Sequence, residues 1–288
     1  MRGRARVWLI AALALVSSCS RPPPIEARPA LWRVTDADTT IWLLGTIHAL
    51  PAGVAWQTPA VTTAIDSAES LVLEIAPPRE ADAQALFERV TIDKRQPPII
   101  SRVAPARRAA LLRAIDAAGS TLAEFDVLKS WAAAVTITSG VGRAKGVTRK
   151  NGVEAVLGKA FARRTRPVRG FETLAGQFAL FDGLPERDQR VLLDQAIDGA
   201  AHDGGTLDAW RKGDTARLEA TLAPGFAQAP GLEDVLVTRR NARWSGWIVR
   251  RMARPGRVLV AVGAGHLVGP RSVVAMLRAR GLTVVRVE

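Results

Sequence analysis

Residues 39–48, TTIWLLGTIH, are the most informative segment of this 288-residue chain. The run of β-branched and apolar residues before the glycine predicts a buried strand. The glycine lets the backbone turn sharply, and His48 follows three residues later. Residues 257–266, RVLVAVGAGH, have the same arrangement. Each segment is an apolar strand that ends in Gly-x-x-His, and the two segments contain two of the three histidines in the chain.

A histidine immediately beyond a buried strand lies at the edge of a sheet, where ligands bind in α/β folds. One Gly-x-x-His means little, because a local carbonyl can satisfy the imidazole. Two of them in the same context indicate a shared function. We therefore expect the two strand ends to meet and to bring His48 and His266 to one metal ion. A hydrolytic divalent metal also needs a carboxylate ligand and an open position for water.

Glutamates at strand ends are the candidates for that carboxylate. Glu74 lies in the apolar segment LVLEI, where a carboxylate is costly unless a cation or a metal satisfies it. Glu172 ends the predicted strand 168–171, and the residues leave the choice between Glu74 and Glu172 open. Glu154 begins a predicted helix, where a favourable interaction with the helix dipole explains it equally well.

Arg240 and Asn241 lie inside a predicted long helix, 232–252, ahead of Trp244. One explanation is a solvated helix face with the tryptophan on the core side. The functional explanation is an arginine that grips a carboxylate, either of the substrate or of the site's own glutamates.

The order of predicted elements indicates the fold class. Strands alternate with helices at both ends of the chain, whereas residues 79–165 are mostly helical. This order predicts an α/β fold with a mixed central sheet and a helical insertion that forms a lid or a wall. The sequence contains no dinucleotide-binding fingerprint, no phosphate-binding loop and no Gly-x-Ser-x-Gly motif.

The first 30 residues have the pattern of a bacterial lipoprotein. Residues 1–18 combine three arginines with a short apolar run, and the segment VSSC at 16–19 resembles a lipobox. We expect residues 1–18 to be a signal peptide, Cys19 to be lipidated, residues 19–30 to be a proline-rich tether and residues 31–288 to be the domain. An ordinary signal peptide is the alternative.

Lipidation would anchor the protein to a membrane of a Gram-negative cell envelope, with the domain in the periplasm. Ser20, in place of an aspartate after the cysteine, favours the outer membrane over the inner one, by resemblance to known lipoproteins. The single cysteine excludes an intramolecular disulfide and a cysteine-rich zinc site.

The formal net charge of +13 raises the question of a nucleic-acid partner. The arginines are spread along the chain, and neither a basic tail nor a nucleic-acid-binding motif is present. We therefore expect no nucleic-acid partner. The oligomeric state does not follow from the sequence.

These segments resemble the TraB/GumN family over about residues 31–288. The pair of Gly-x-x-His motifs is the mark of that family. The resemblance rests on blocks in this order: LWRV at 31–34, LLGTIH at 43–48, LE at 73–74, GVE at 152–154, GFET at 170–173 with Gln177, RN at 240–241 with Trp244, and VGAGHLVG at 262–269.

The resemblance has implications for fold and activity. The family is similar to the Tiki proteins, which are membrane-tethered, metal-dependent proteases. Its wider superfamily includes erythromycin-esterase-like enzymes and a haem-binding lipoprotein, and the resemblance implies their fold. It also implies that His48, His266 and a glutamate are metal-binding or catalytic groups, with Mn²⁺, Co²⁺ or Zn²⁺ as the metal.

The resulting hypothesis is a lipid-anchored, periplasm-facing, metal-dependent hydrolase, with a peptidase favoured and a peptide or protein as substrate. The expected metal ligands are His48, His266 and Glu74. Glu172 would act as general base or complete the ligand set, and Arg240 with Asn241 would orient the glutamates or stabilise the oxyanion.

Two other hypotheses remain open. In the first, the same histidines bind haem or a metal without catalysis, in an envelope lipoprotein or an accessory factor. In the second, the motifs only hold strand ends together in an inert scaffold.

Overall fold

The computed structural model describes residues 24–201 and 205–288. Cys19, the predicted signal peptide and His202 lie outside the described residues. The described part is an α/β fold with a six-stranded mixed sheet, which confirms the predicted fold class. The specific superfamily implied by the resemblance stays a prediction.

The strands occur throughout the described chain and form two sheets. They are β1 (Ile25–Glu26), β2 (Leu31–Thr35), β3 (Thr39–Thr46), β4 (Val54–Ala55), β5 (Ser70–Ile75), β6 (Val168–Glu172), β7 (Gly256–Gly263) and β8 (Val284–Arg286). The large sheet has the order β6-β5-β7-β3-β2-β8, and β1 pairs with β4 in a small parallel sheet.

Four neighbouring strands of the large sheet, β6, β5, β7 and β3, run parallel. β2 and β3 form a hairpin, in which the two strands pair antiparallel from Leu31–Leu44 to Thr35–Thr40. In the parallel pair of β3 with β7, Thr46 is opposite Gly263. This register places the two Gly-x-x-His motifs side by side at the C-terminal ends of the parallel strands.

Helices cover both faces of the large sheet and also form a separate layer. They are α1 (Pro59–Ser67), α2 (Glu80–Thr91), α3 (Arg108–Ala117), α4 (Leu122–Asp126), α5 (Ser130–Ala144), α6 (Val153–Arg163), α7 (Leu174–Asp182), α8 (Glu186–Ala201), α9 (Thr206–Arg211), α10 (Thr215–Ala227), α11 (Pro230–Glu233), α12 (Arg239–Met252) and α13 (Val273–Ala279).

Successive side chains of a strand point to opposite faces of the sheet, so the central strands contribute to two apolar cores. Trp42 and Leu44 of β3 pack with α1, α6 and Trp210 on one face. Ile41 and Leu43 pack with α12 and α13 on the other face. Both faces of the sheet are therefore covered, which is usual for parallel strands.

A third core lies in the helical layer and joins α3 and α5 to α8. This layer therefore uses a helix from beyond β6 in addition to helices from the predicted insertion, 79–165. In contrast, α6 of that segment packs on the sheet. None of the helices in the described residues is long and apolar enough to span a membrane.

The single helix predicted over 232–252 is wrong in one respect. The structure has α11, then a π-helical turn at Asp234–Thr238, then α12. Arg240 lies in the first turn of α12 and donates to the carbonyl oxygen of Leu236 in the π turn (3.0 Å). The widened turn offers this carbonyl to the guanidinium, and π turns occur frequently at functional sites.

Candidate functional site

His48 lies just beyond β3 and is held by α6. The Ile47 carbonyl accepts a hydrogen bond from the Val153 N–H (3.2 Å), so the loop after β3 is fixed against the start of α6. Gly152 contacts the His48 carbonyl so closely that no side chain fits at this position. The sequence GVE at 152–154 thus brings Glu154 to His48.

Glu154 orients the imidazole of His48. His48 Nδ1 lies 2.7 Å from Glu154 Oε1, and the Thr46 hydroxyl donates to the same oxygen. Glu154 Oε2 is buried and has no hydrogen-bond partner within the described structure. The His48 side chain is 57% exposed, so this imidazole is held from behind and open to solvent in front.

Glu74 is almost fully buried and accepts hydrogen bonds on both oxygens. Its Oε1 accepts from the Gly263 N–H (2.7 Å), and its Oε2 accepts from Arg240 Nη2 (2.6 Å). Gln177 Nε2 makes a longer contact with Oε2 (3.4 Å). The cation expected beside this carboxylate is therefore Arg240.

His266 is buried, and its hydrogen bonds define its tautomer. Asn241 Nδ2 donates to the carbonyl oxygens of Arg271 (2.8 Å) and His266 (3.4 Å), so Asn241 Oδ1 is an acceptor. His266 Nδ1 lies 2.7 Å from that oxygen and carries the proton. His266 Nε2 is then unprotonated and accepts from Arg240 Nη1 (3.1 Å).

Arg240 is the hub of the buried part of the site. Its Nε contacts both oxygens of Glu172 (3.0 Å each), and its guanidinium carbon lies 4.7 Å from the Trp244 ring centroid. Arg243 Nη2 also contacts Glu172 Oε1 (3.2 Å). The buried guanidinium is thus paired with two carboxylates, and Arg243 adds a second positive charge at Glu172.

Gly263 provides the space in which the two histidines approach Glu74. A side-chain carbon at this position would lie 3.0 Å from Glu74 Oε1, 3.6 Å from His48 Nε2 and 3.7 Å from His266 Cδ2. Gly263, the last residue of β7, is therefore fixed as glycine by close packing, and the three functional groups surround one small volume beside it.

The two histidines have pKa values shifted in opposite directions. Burial lowers the pKa of His266 to about 4, with Arg240 and His48 adding to the effect and Glu74 opposing it. Burial also lowers the pKa of His48, but the hydrogen bond to Glu154 and the charges of Glu154 and Glu74 outweigh it and raise the pKa to about 9. Solvent at the exposed His48 side chain weakens these charge effects, and the upward direction follows from the 2.7 Å contact.

Glu74 stays ionised in spite of its burial. Burial alone raises its pKa, but His266, His48, Arg240 and the Gly263 N–H lower it to about 2. Because His266 is uncharged at neutral pH, the cations that stabilise this carboxylate there are Arg240 and His48.

The structure brings the six residues predicted as metal ligands or catalytic groups to the C-terminal ends of the parallel strands. His48, Glu74 and His266 surround the space beside Gly263, whereas Glu172 lies behind Arg240 and is bound by it. Asn241 contacts His266 and not the glutamates. Glu154 was a candidate carboxylate that the helix dipole explained equally well, and its 2.7 Å contact with His48 is a role that its position in GVE alone did not reveal.

The described residues do not fit the expected metal centre as they are arranged. They contain no group of three or more His, Cys, Asp or Glu side chains placed to hold a metal ion. At His266, the Nε2 lone pair already accepts a hydrogen bond from the buried guanidinium of Arg240. A cation bound there would displace this hydrogen bond and lie against a positive charge.

Comparison with known proteins gives a family and two relatives. A model of the TraB/PrgY/gumN family matches residues 30–286. The chain is similar to Uncharacterized protein YbaP of Escherichia coli (strain K12), with 28% identity over 158 residues, which cover 54% of this chain and 58% of the relative. Uncharacterized protein YbaP of Shigella flexneri matches to the same extent. The match thus spans less than two thirds of these relatives, and no solved structure matches.

Proposed function

The chain belongs to the TraB/PrgY/gumN family, and from that membership and the site we propose that it is a hydrolase of acyl bonds, with peptide amides as the first candidates. One observation carries the proposal. His48 Nδ1 is bonded to the Glu154 carboxylate (2.7 Å), while Nε2 faces the space between Glu74 and His266. A carboxylate that orients an imidazole with one free nitrogen is the arrangement of a general base.

In the proposed reaction, neutral His48 removes a proton from water through Nε2. The water oxygen attacks the carbonyl carbon, and the imidazolium returns the proton to the leaving amine or alcohol. Glu154 keeps the imidazole oriented and stabilises its cationic form. Glu74 Oε1 lies at the same space and accepts a hydrogen bond from the water.

The buried residues position this machinery. Arg240 fixes the Glu74 carboxylate and is itself fixed by Glu172, so we assign Glu172 a positioning role in place of the general-base role expected from the sequence. Asn241 sets the tautomer of His266, which keeps its unprotonated nitrogen toward Arg240.

The divalent metal expected from the sequence stays a prediction, and no step above depends on it. Metal analysis of the full-length protein, purified without chelator, tests it beside the double variant His48→Ala/His266→Ala. About one bound ion that is lost in the double variant would support a metal-dependent enzyme. No ion before or after addition of Mn²⁺, Co²⁺ or Zn²⁺ would support the metal-free route.

The activity test is a screen of fluorogenic peptides and esters with full-length protein, with EDTA and with each metal added. His48→Asn preserves a donor near Glu154 but removes the base, so we expect it to lower kcat by about 10²- to 10⁴-fold. His202→Asn is the matched change at the remaining histidine. Hydrolysis by the wild type that is equal in His48→Asn would refute the proposed base.

The non-catalytic alternative makes a different prediction. If the histidines bind haem, titration with haem produces a Soret band that is lost in His48→Ala or His266→Ala. Such a band, in a protein that hydrolyses nothing in the screen, would favour the binding lipoprotein over the hydrolase.

We further propose that Cys19 anchors the protein to the envelope, with the outer membrane favoured. The support is the lipobox-like segment 16–19 and the apolar run before it. Labelled palmitate should be incorporated into the wild type and not into Cys19→Ser. Incorporation into both forms would refute lipidation at this residue.

A further inference from the structure

A strand edge and a groove lie next to the site and are not used by the proposed chemistry. β6 is the terminal strand of the large sheet, so no other strand of the described chain pairs with its outer edge. Glu172, the last residue of this strand, reaches the site through Arg240. The outer edge therefore leads from the surface toward the reacting groups.

The backbone of β6 presents alternate residues to this outer edge. The Pro167 carbonyl accepts from the Leu71 N–H of β5 (2.9 Å), and Leu71 is opposite Val168 in the parallel pair. Because successive residues of a parallel strand point their backbone groups to opposite sides, Val168 and Gly170 direct their N–H and carbonyl groups outward. Gly170 is also exposed, so no side chain covers the backbone there.

A groove of about 400 Å³ adjoins this edge. Its lining is small and apolar apart from one lysine, and consists of Ala76, Pro77, Ala155, Gly158, Lys159, Ala162 and Val168. Ala76 follows Glu74 by two residues and Ala155 follows Glu154 by one, so one end of the groove lies at the site. Val168 belongs to both the groove and the strand edge.

Positive side chains on β6 and α6 indicate that a bound chain would carry acidic residues. Arg169 and Lys159 are exposed and have no hydrogen-bond or ion-pair partner within the described residues. Neighbouring side chains of a strand point to opposite faces, so Val168 faces the groove and Arg169 faces away from it. A paired strand would alternate in the same way, with apolar side chains toward the groove and acidic ones beside Arg169.

We propose that an extended segment of the peptide substrate binds as an added strand along the outer edge of β6. Its small apolar side chains fill the groove, and its intervening acidic side chains lie beside Arg169. This inference rests on the proposed function only where it calls the bound peptide a substrate. The binding itself needs no turnover. Main-chain hydrogen bonds supply affinity in this mode, and alternate side chains supply specificity.

The probe is a fluorescein-labelled octapeptide of alternating valine and glutamate. Its binding to the full-length protein is measured by fluorescence polarisation, with His48→Asn as the background so that the peptide stays intact. Two further peptides carry N-methyl groups on either all the valines or all the glutamates. An added strand points only one of these sets of N–H groups at β6, so one methylated peptide should lose binding and the other should retain it.

Matched variants test the side chains. Arg169→Glu should weaken binding by about tenfold, because it places like charges opposite one another across the strands, whereas Lys94→Glu, a charge reversal at another exposed position, should not. Ala162→Phe fills the groove from an exposed helix position and should also weaken binding, whereas Ala109→Phe in α3 should not.

Equal effects of the two methylated peptides would overturn the proposal, as would unchanged affinity in both Arg169→Glu and Ala162→Phe, or no binding to the wild type. Hydrolysis separates this outcome from failure of the proposed function. If the protein is a hydrolase that binds peptides elsewhere, Arg169→Glu and Ala162→Phe cleave peptides as the wild type does. If it is no hydrolase, the binding pattern persists without any cleavage.

Discussion

His48 and His266 arise from the same motif, but their surroundings give them different charges at neutral pH. His48 is open to solvent in front and bonded to a carboxylate behind, which favours the imidazolium. His266 is buried, with a guanidinium at one nitrogen and an amide oxygen at the other, which favours the neutral ring. Of these two histidines, only His48 therefore has a nitrogen available for proton transfer.

These opposite pKa shifts can be measured directly by NMR. The chain has three histidines, so a proton NMR titration follows three C2 resonances. We expect His48 to titrate near 9 and His266 near 4, with the resonances assigned from His48→Asn and His266→Gln. Glu154→Gln removes the negative charge and should lower the His48 value. An unshifted His48 resonance in Glu154→Gln would show that this pair does not control the imidazole.

The same shift predicts a pH profile for activity. A general base acts in its neutral form, and the raised pKa leaves only a small fraction of His48 neutral at pH 7. We therefore expect kcat/KM to rise with pH up to about 9 and then to level off. A profile that falls over this range would contradict His48 as the base.

Arg240 should be important for stability because it is the shared cation of two buried carboxylates. Arg240→Met leaves Glu74 and Glu172 buried without their shared cation. Removal of one partner from a buried pair costs roughly 3–5 kcal/mol of unfolding free energy. Urea denaturation should show this loss, and adding Glu74→Gln to Arg240→Met should recover part of it. The control is Arg239→Met, at an exposed arginine that forms a surface ion pair with Asp234 (2.6 Å), and it should change stability by less than about 1 kcal/mol.

At the scale of elements, the end of β7 is the most constrained part of the site. The Gly263 N–H bonds Glu74, and any side chain at Gly263 would lie 3.0 Å from the same carboxylate. We expect Gly263→Ala to displace Glu74 and to lower kcat/KM strongly while the chain still folds. Gly199→Ala in α8 meets no atom within 4 Å and should leave activity unchanged. Equal activity of both variants would show that the position of Glu74 is unimportant.

The π turn before α12 is a second constraint at this scale. It ends at Thr238, and Arg240 then points back to the Leu236 carbonyl. The helix that carries Arg240 and Asn241 is thereby aimed at the strand ends. A regular helix through 234–238 would rotate both side chains away from these positions. Helical periodicity predicted the helix at 232–252 but does not register a π turn within it.

At the scale of the whole molecule, the buried charges predict loss of stability in acid. The pKa of His266 is about 4 when folded and about 6.5 when unfolded, so its contribution is complete above pH 6.5 and is lost as the pH falls through 4. The pKa of Glu74 is also lower when folded, about 2, so its contribution is lost below about pH 4.5. His48 has the opposite sign, because its contribution is lost as the pH rises through 9.

Urea denaturation measures this dependence. Between pH 7.5 and pH 5, the shift at His266 should cost about 2 kcal/mol of unfolding free energy. His266→Gln cannot titrate in this range and should show a smaller fall between the same two pH values. Parallel losses in the wild type and in His266→Gln would assign the acid sensitivity to other groups.

Local sequence patterns were enough to predict the mixed α/β fold and the importance of the strand ends. Strand periodicity, the two Gly-x-x-His segments and a glutamate in the apolar segment LVLEI are local signals, readable within ten residues. They follow from burial, because a parallel strand is apolar throughout and its polar residues gather where it ends. The sequence also offered Arg240 as a residue that grips a carboxylate, of either the substrate or the site's own glutamates, and the structure shows it bound to Glu74 and Glu172.

Tertiary structure alone decided which groups face one another. His48 and Glu154 are 106 residues apart, and Glu74 and Arg240 are 166 apart, so no local pattern connects them. Their contacts depend on the order β6-β5-β7-β3, on the register of Thr46 with Gly263, and on the π turn before α12. The charges of the two histidines also belong to this level, since burial and neighbouring charges set a pKa, and both depend on the assembled fold.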